Sequence, residues 1–318
     1  MTAVRYIKVD TDHCGQRLDN YLKTVLKGVP LSRIYRIIRK GEVRINKGRA
    51  RPSNRLQSGD IIRIPPIRQA VSADLSTNSQ LLRLAEKLQG TVIYEDEAML
   101  VIDKPAGIAV HGGSGLAGGV IEALRQQAFA TRFLELVHRL DRQTSGCLVL
   151  ARSRAALLDL QKQIGGNERS AKKCYLALLR GLWQGGERRV SCRLQNTTQL
   201  SGDRAVVVSD SGKTAESIFS PLSCSDVGSL LKIELLTGRT HQARVHAVAC
   251  GMPIAGDKKY GDRDFNQQLQ SYGLHRLFLH ASSIRIRHPN TGKSMLFHAP
   301  LPVELHSPLL ALGMDIQI

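Results

Sequence analysis

The chain has 318 residues, enough for about two domains that each bury a core, and its 42% hydrophobic content is that of a globular protein. No apolar run approaches the roughly 20 residues of a membrane helix, which excludes a helical integral membrane protein. The net charge of +18 is uneven, with 16 Lys/Arg against 5 Asp/Glu in residues 1–70 and 29 against 22 in the remainder, the footprint expected of a polyanion binder.

Residues 1–14 read as an N-terminal strand or extension, and residues 15–67 as a small basic unit. "QRLDNYLKTVL" sets Leu18, Leu22 and Val25 on one helical face. "PLSRIYRIIRKG" offers Ser32 as N-cap and Gly41 as stop, with Ile34, Ile37 and Ile38 turned inward. Its other face carries Arg33, Arg36, Arg39 and Lys40, a stripe of one sign without the acidic i+4 partners of a solvated helix. "EVRINKGRA" reads as a strand entering a turn at Asn46-Lys47-Gly48, adding Arg44, Lys47 and Arg49 to the basic face, and "GDIIRIP" as a closing strand. Two helices and a small sheet with this basic face resemble the S4 RNA-binding domain, which implies folded RNA recognised by shape and phosphates.

Residues 68–89 are polar and non-periodic before the short helical "LLRLAEKL", and read as a linker. From residue 90 to 318 strands dominate: "TVIYEDEAMLVIDKP", "RFLELVHRL", "CLVLARS", "CYLALLRGL", "VSCRLQ", "RAVVVSD", "SLLKIELLTG" and "FLHASSIRIRH". Helical segments are few, near 120–127, 155–164, 240–250 and 303–312. Several strands in succession without a helix predict an α+β domain on a mixed, mostly antiparallel sheet with flanking helices.

Several chemistries are set aside by missing motifs. "GSGLAG", Gly113 to Gly118, matches the GxGxxG dinucleotide fingerprint, but "VIDKPAGIAVH" before it is broken by Asp103, Lys104, Pro105 and Gly107, and no βα alternation follows. The six cysteines contain no CxxC pair, which fits reduced thiols in the cytoplasm. There is no HExxH, no aspartate-rich cluster, and no HxE with PCxxC of a zinc deaminase, so neither a metal nor any other cofactor is expected. "MTAVRYIKVD" lacks the apolar stretch of a secretory signal. With 4% aromatic residues, recognition of single strands by stacking alone is not expected.

Three stretches carry the chemistry. "HRLDRQTSG" places the carboxylate of Asp141 between Arg139 and Arg142, "KCYLALLRG" holds Tyr175 in an apolar strand, and "TGRTHQARVH" brings Arg239, Arg244 and His246 together. Each alone has a plain reading as a strand-end ion pair, a core tyrosine or a solvated helix face. Together they resemble the RluA-type pseudouridine synthases: HRLDRQTSG satisfies every position of that family's HRLDxxTSG motif, Lys173-Cys174-Tyr175 its K-x-Y element, and Gly238 to His246 its GRTHQxRVH element. "DKPAGIAVH" and "RLFLHA" add to the likeness, which spans about residues 90–300, while Ala243, Ala117 and Gly118 depart from the usual pattern.

The resemblance implies an isomerase that converts uridine in RNA to pseudouridine, and the branch it suggests modifies large-subunit ribosomal RNA. Such a reaction needs an ionised, fixed carboxylate, and an arginine supplies the counter-charge with a planar fork. The resemblance assigns Asp141 to the chemistry, Arg244 as its partner with Arg239 second, and Tyr175 to stacking on uracil or to accepting a proton late. Arg139 would fill the place of the flipped base. His138, Arg142, Thr144, Lys173, His241 and Gln242 complete the expected substrate contacts. The partner expected is ribosomal RNA or an assembly intermediate, with the protein a monomer. A non-catalytic RNA-binding or ribosome-assembly protein, and the same isomerase acting on transfer RNA, are the alternatives.

Overall fold

A computed structural model describes residues 3–26, 28–67, 79–112, 118–126, 133–165, 168, 170–198 and 204–314. The chain divides into two units, Met1–Gln80 and Leu81–Ile318. Most of the glycine-rich "GSGLAG" and most of the expected linker lie outside the described residues.

The first unit runs β1 (Arg5–Lys8), α1 (Leu18–Val25), α2 (Leu31–Arg39), β2 (Arg44–Ile45), β3 (Gly48–Arg49) and β4 (Ile61–Ile64). Its strands form one sheet in the order β1-β4-β2-β3, so the N-terminal extension is the sheet's edge. Leu18, Leu22, Ile34, Ile37 and Ile38 are buried against Ile62 and Ile64, each apolar side chain contributing about 1.5–3 kcal/mol. The start of α2 differs from expectation: Pro30, not Ser32, is the N-cap, and it forms no side-chain cap. Proline's fixed φ and missing N–H suit a helix start, where a donor would go unused. The β2–β3 hairpin turns through Asn46 and Lys47, both left-handed with φ of 49° and 68°, as a two-residue turn between twisted strands requires. Arg36, Arg39, Lys40, Arg44, Lys47 and Arg49 are exposed and Arg33 half-exposed, so the basic stripe faces outward.

The second unit begins within α3 (Ser79–Gln89), whose Leu81, Ala85 and Leu88 are buried in the main core. The far end of the expected linker is therefore a packed helix; its apolar residues at i, i+4 and i+7 explain why. There follow β5 (Val92–Glu95), β6 (Met99–Lys104), α4 (Val120–Gln126), β7 (Glu135–Leu136), β8 (Ser145–Ala151) and α5 (Arg154–Gly165). Five strands come next, with no helix between them among the described residues: β9 (Lys172–Arg180), β10 (Arg188–Thr198), β11 (Arg204–Val208), β12 (Lys213–Cys224) and β13 (Gly228–Leu235). The unit closes with α6 (Gln242–Ala249), α7 (Arg263–Gln270), β14 (Leu279–Arg287), β15 (Ser294–His298) and α8 (Val303–Ala311). The helix α7 and the strand β15 were not expected from the sequence.

All strands of this unit join one 11-stranded sheet with the path β11-β10-β12-β13-β9-β14-β8-β6-β5, β15 beside β14 and β7 beside β8. Every pairing is antiparallel except β8 with β14, so the α+β, mostly antiparallel expectation is borne out. β6 pairs antiparallel with both β5 and β8, which a dinucleotide-binding βαβ unit does not allow. β8 is buried along its whole length; Leu148 and Leu150 pack on one face, Val149 and Ala151 on the other. At the start of β8, Gly146 has φ +110°, and a Cβ there would lie 2.3 Å from the carbonyl oxygen of Ala281. Only glycine lets β8 and β14 approach this closely, which ties the end of HRLDRQTSG to the middle of the sheet.

Candidate active site

Asp141 stands in the turn that leads into β8, closed by the Thr144 N–H donating to the Asp141 carbonyl at 3.1 Å. The turn is held from beneath by a lysine that, in the sequence, reads as an interruption. Lys104, at the end of β6, is fully buried, and its Nζ donates to the carbonyls of Pro105 at 2.8 Å, Ile108 at 3.0 Å and Arg142 at 3.3 Å. Burial pushes its pKa down to about 7, while the field of Asp141 works the other way.

Opposite the turn, α6 presents Arg244. Its Nη1 donates to Asp141 Oδ2 at 3.2 Å; its Nε and Nη2 donate to the two oxygens of Asp257, both at 2.8 Å. Burial opposes the charge on Arg244, but the hydrogen bonds and fields of Asp257 and Asp141 outweigh it and raise its pKa. Asp257 is likewise desolvated, yet Arg244 and the N–H groups of Tyr260 and Lys259 hold its carboxyl below the ordinary range. The side chain of Asp257 is 1% exposed and that of Asp141 20%, so the first carboxylate is structural and the second can be reached. The bidentate grip fixes the guanidinium plane, leaving one donor edge for Asp141. The Arg244 guanidinium also lies 4.8 Å from the centre of the Tyr260 ring.

His241 has φ 53°, the left-handed conformation, at the N-cap of α6. Its Nε2 lies 3.7 Å from Asp141 Oδ2, and its Nδ1 is 2.7 Å from the Tyr260 hydroxyl. The Tyr260 oxygen accepts from Val206 N–H at 2.8 Å, so its own proton is free to go to Nδ1 and leave the imidazole proton facing Asp141. Burial lowers the His241 pKa against the pull of Asp141.

Asp141, His241 and Arg244 line a cavity of about 350 Å³, together with Tyr175, Arg139, His138, Thr144, Lys173, Arg239, Gln242 and the apolar Leu235 and Leu279. Tyr175, on β9, is buried, and its hydroxyl has no protein partner among the described residues. Burial first, then the charge of Asp141, raises its pKa, so the phenol keeps its proton. That counts against Tyr175 as a ready base and favours its ring as a platform. Arg139 is exposed at the cavity wall.

Five of the expected substrate contacts are held by groups of the protein itself. Arg142 does not line the cavity; its Nε donates to the Gly107 carbonyl at 2.8 Å and braces the Asp141 turn. Gln242 accepts from Thr237 Oγ1 and Arg239 N–H and donates to the Glu216 carbonyl and Ser217, so its amide is consumed in fixing the start of α6. His138 Nε2 accepts from Val149 N–H at 3.1 Å, and burial takes its pKa down to about 3, which makes it a neutral wall of the site. Arg239, the second choice as partner for Asp141, donates its Nε to the Thr214 carbonyl at 3.2 Å instead. Lys173 is buried, with Nζ 3.3 Å from the Ile164 carbonyl.

Asp257, Lys104 and Tyr260 are the site residues that sequence reasoning missed. The signal for Asp257 was its place in "AGDKKYGD", a carboxylate between two glycines; for Lys104 it was a lysine closing an otherwise apolar strand before Pro105.

Comparison with known proteins agrees with this architecture. Residues 98–249 match the family model described as RNA pseudouridylate synthase, and residues 16–62 match the S4 domain. Full-length relatives include the ribosomal large subunit pseudouridine synthase C of Yersinia pestis, 50% identical over 310 residues, 98% of this chain and 96% of the relative. The protein of the same name from Haemophilus influenzae is 48% identical over 308 residues, 97% of this chain and 95% of the relative. That from Escherichia coli is 48% identical over 301 residues, 94% of this chain and 93% of the relative. Among solved structures, human RNA pseudouridylate synthase domain containing 4 superposes with a TM-score of 0.62 at 24% identity, covering 74% of this chain and 98% of that one, a likeness of fold. Human RNA pseudouridylate synthase domain containing 1 gives a TM-score of 0.56 at 26% identity, covering 69% and 85%.

Proposed function

The chain belongs to the RNA pseudouridylate synthase family, and on that footing we propose that it converts uridines of large-subunit ribosomal RNA, with Asp141 as the residue that carries the chemistry. The observation behind the assignment is the Asp257–Arg244–Asp141 chain: one buried carboxylate fixes the guanidinium, and the guanidinium presents its remaining edge to a carboxylate that substrate can reach. The relatives' names supply the ribosomal RNA, and the basic face of the S4 domain suits a folded RNA.

Isomerisation breaks the N1–C1′ bond, turns the uracil and joins C5 to C1′; C5 gives up its hydrogen and N1 gains one. No electron is gained or lost overall. A carboxylate serves by adding to the sugar or the base, or by accepting a proton as the glycosidic bond breaks, and each route needs it charged and stationary. Arg244 holds it so. Tyr175 stacks its ring on the uracil, and Arg139, exposed at the mouth of the cavity, enters the space that the flipped nucleotide vacates. The protein works as a monomer in the cytoplasm, where immature ribosomal RNA is accessible. No helix of the described residues is long and apolar enough to cross a membrane.

The substrate is tested by incubating the protein with protein-free large-subunit ribosomal RNA and, separately, with a transfer RNA pool, then mapping carbodiimide-dependent primer-extension stops. New stops in ribosomal RNA are expected. Stops confined to transfer RNA would overturn the substrate and leave the isomerase.

A further inference from the structure

Arg244 also lines a second cavity of about 350 Å³, separate from the one that holds Asp141 and Tyr175. The charged and polar side chains on it are Gln143, Lys258, Lys259, His275 and Arg276, beside the single carboxylate Asp257. The charge of Asp257 is offset by Arg244, which donates to both its oxygens, and backbone N–H groups of Lys259 and Tyr260 donate to one of them. The recess is built into the fold. Gly256 has φ +70°, and a Cβ there would meet the Arg276 carbonyl oxygen at 2.0 Å, so the segment carrying Lys258 crosses directly against the one carrying His275 and Arg276. The Asn266 side chain of α7 pins the same segment, accepting from Gly256 N–H at 2.7 Å and donating to the Asp257 carbonyl at 3.1 Å.

Arg276 is the unusual member. It is half-buried, and its guanidinium donates to the Ser145 hydroxyl at 3.1 Å and the Leu277 carbonyl at 3.3 Å. No carboxylate lies within ion-pair distance of it among the described residues; Glu304 and Asp103 act on it only through space, and burial lowers its pKa. A desolvated guanidinium without a counter-ion is costly, and an anion arriving from outside offsets that cost. Arg244 lines both cavities, so the backbone of a uridine seated in the first has a route along its side chain to the second.

We propose that this recess is a phosphodiester subsite, in which Arg276, Lys258 and His275 hold the RNA backbone beside the uridine that enters the Asp141 cavity. The inference rests on the reading that the first cavity takes a uridine within RNA. Through the Arg276–Ser145 hydrogen bond the held phosphate is one side chain from the strand that ends the Asp141 turn. The backbone is thereby indexed to the carboxylate that acts on the base.

The test is ethylation interference on an in vitro transcript of large-subunit ribosomal RNA, comparing wild type with Lys258→Ala/His275→Ala, two side chains exposed enough to leave the fold intact. The ethylated pool is partitioned twice, by binding and by conversion. Wild type should lose bound molecules ethylated at one or two phosphates adjoining a modified uridine, and the double variant should lose that block while keeping the others. The salt slope of binding should fall by about 1 for each phosphate that the variant no longer neutralises. An interference pattern identical in the two proteins, or no block beside the modified uridine in wild type, would overturn the subsite. If wild type bound but made no pseudouridine, the uridine reading would fail; the subsite would then be judged on the binding partition alone, by whether the variant loses a block that wild type shows.

Discussion

Asp257→Asn probes the claim that Arg244 is held from behind so that Asp141 can be held from in front. The carboxylate accepts Arg244 Nε–H and Nη2–H at 2.8 Å each and the Lys259 N–H at 2.9 Å, with its side chain 1% exposed. An amide keeps one acceptor and turns a donor towards the guanidinium, so one arginine hydrogen bond becomes a donor–donor contact. Breaking a buried pair costs about 3–5 kcal/mol where nothing compensates. Asp141 still attracts Arg244 at 3.2 Å, which places the expected loss near the lower end, about 3 kcal/mol. For a unit of this size that is a fall in Tm of about 6–12 °C. A guanidinium no longer fixed should also lower kcat about a hundredfold, as misplacement of a catalytic neighbour does. KM for RNA should stay within about threefold, since the asparagine removes an aiming contact more than a substrate contact. Calorimetry and steady-state kinetics on the same preparation read both quantities. A variant that melts and turns over like wild type would refute the argument.

His246, on α6, is fully buried with neither ring nitrogen hydrogen-bonded, and burial pushes its pKa down to about 4 from 6.5. Below pH 6.5 the unfolded chain takes up a proton that the folded chain refuses until about pH 4, so stability falls as pH drops through that window. His246→Leu should reduce the loss between pH 7.5 and 4.5 by about 2–3 kcal/mol in urea denaturation, and parallel losses in the two proteins would count against this. Arg33→Ala/Arg36→Ala/Arg39→Ala, on the outward face of α2, should weaken RNA binding and lower its salt slope by about 1 for every arginine that meets a phosphate in wild type. An unchanged slope would mean that this stripe does not meet RNA.

What the sequence made legible follows from how local each feature is. Asp141, Tyr175 and Arg244 stand in short motifs whose residues are contiguous, and the helices α1 and α2 show their apolar faces at helical spacing within a single turn or two. Asp257 acts on a partner 13 positions away, through a loop pinned by Asn266 of α7. That helix was itself missed, because "RDFNQQLQ" is polar overall and its apolar face is a single i, i+4 pair, Phe265 and Leu269. A local sign of its start was Asp262, whose side chain accepts from Phe265 N–H at 2.8 Å. Missing α7 therefore meant missing Asp257 and the recess beside it. Lys104 failed differently. A lysine in a strand suggests solvent, and only the three carbonyls gathered from residues 105, 108 and 142 make its burial tolerable. The resemblance gave Gln242 and His138 as substrate contacts; both line the cavity, and their hydrogen bonds go to neighbouring groups that shape it.

The central claim is that Asp141 carries the chemistry while the surrounding cations and the S4 domain carry the RNA. Tritium release from large-subunit ribosomal RNA labelled at C5 of uridine, compared between wild type and Asp141→Asn, tests it most directly when RNA affinity is measured beside it. Wild type should release tritium, and the variant should release none while binding within about tenfold of wild type, a difference of roughly 1.4 kcal/mol. Release by Asp141→Asn, or its loss in step with a collapse of binding, would contradict the assignment.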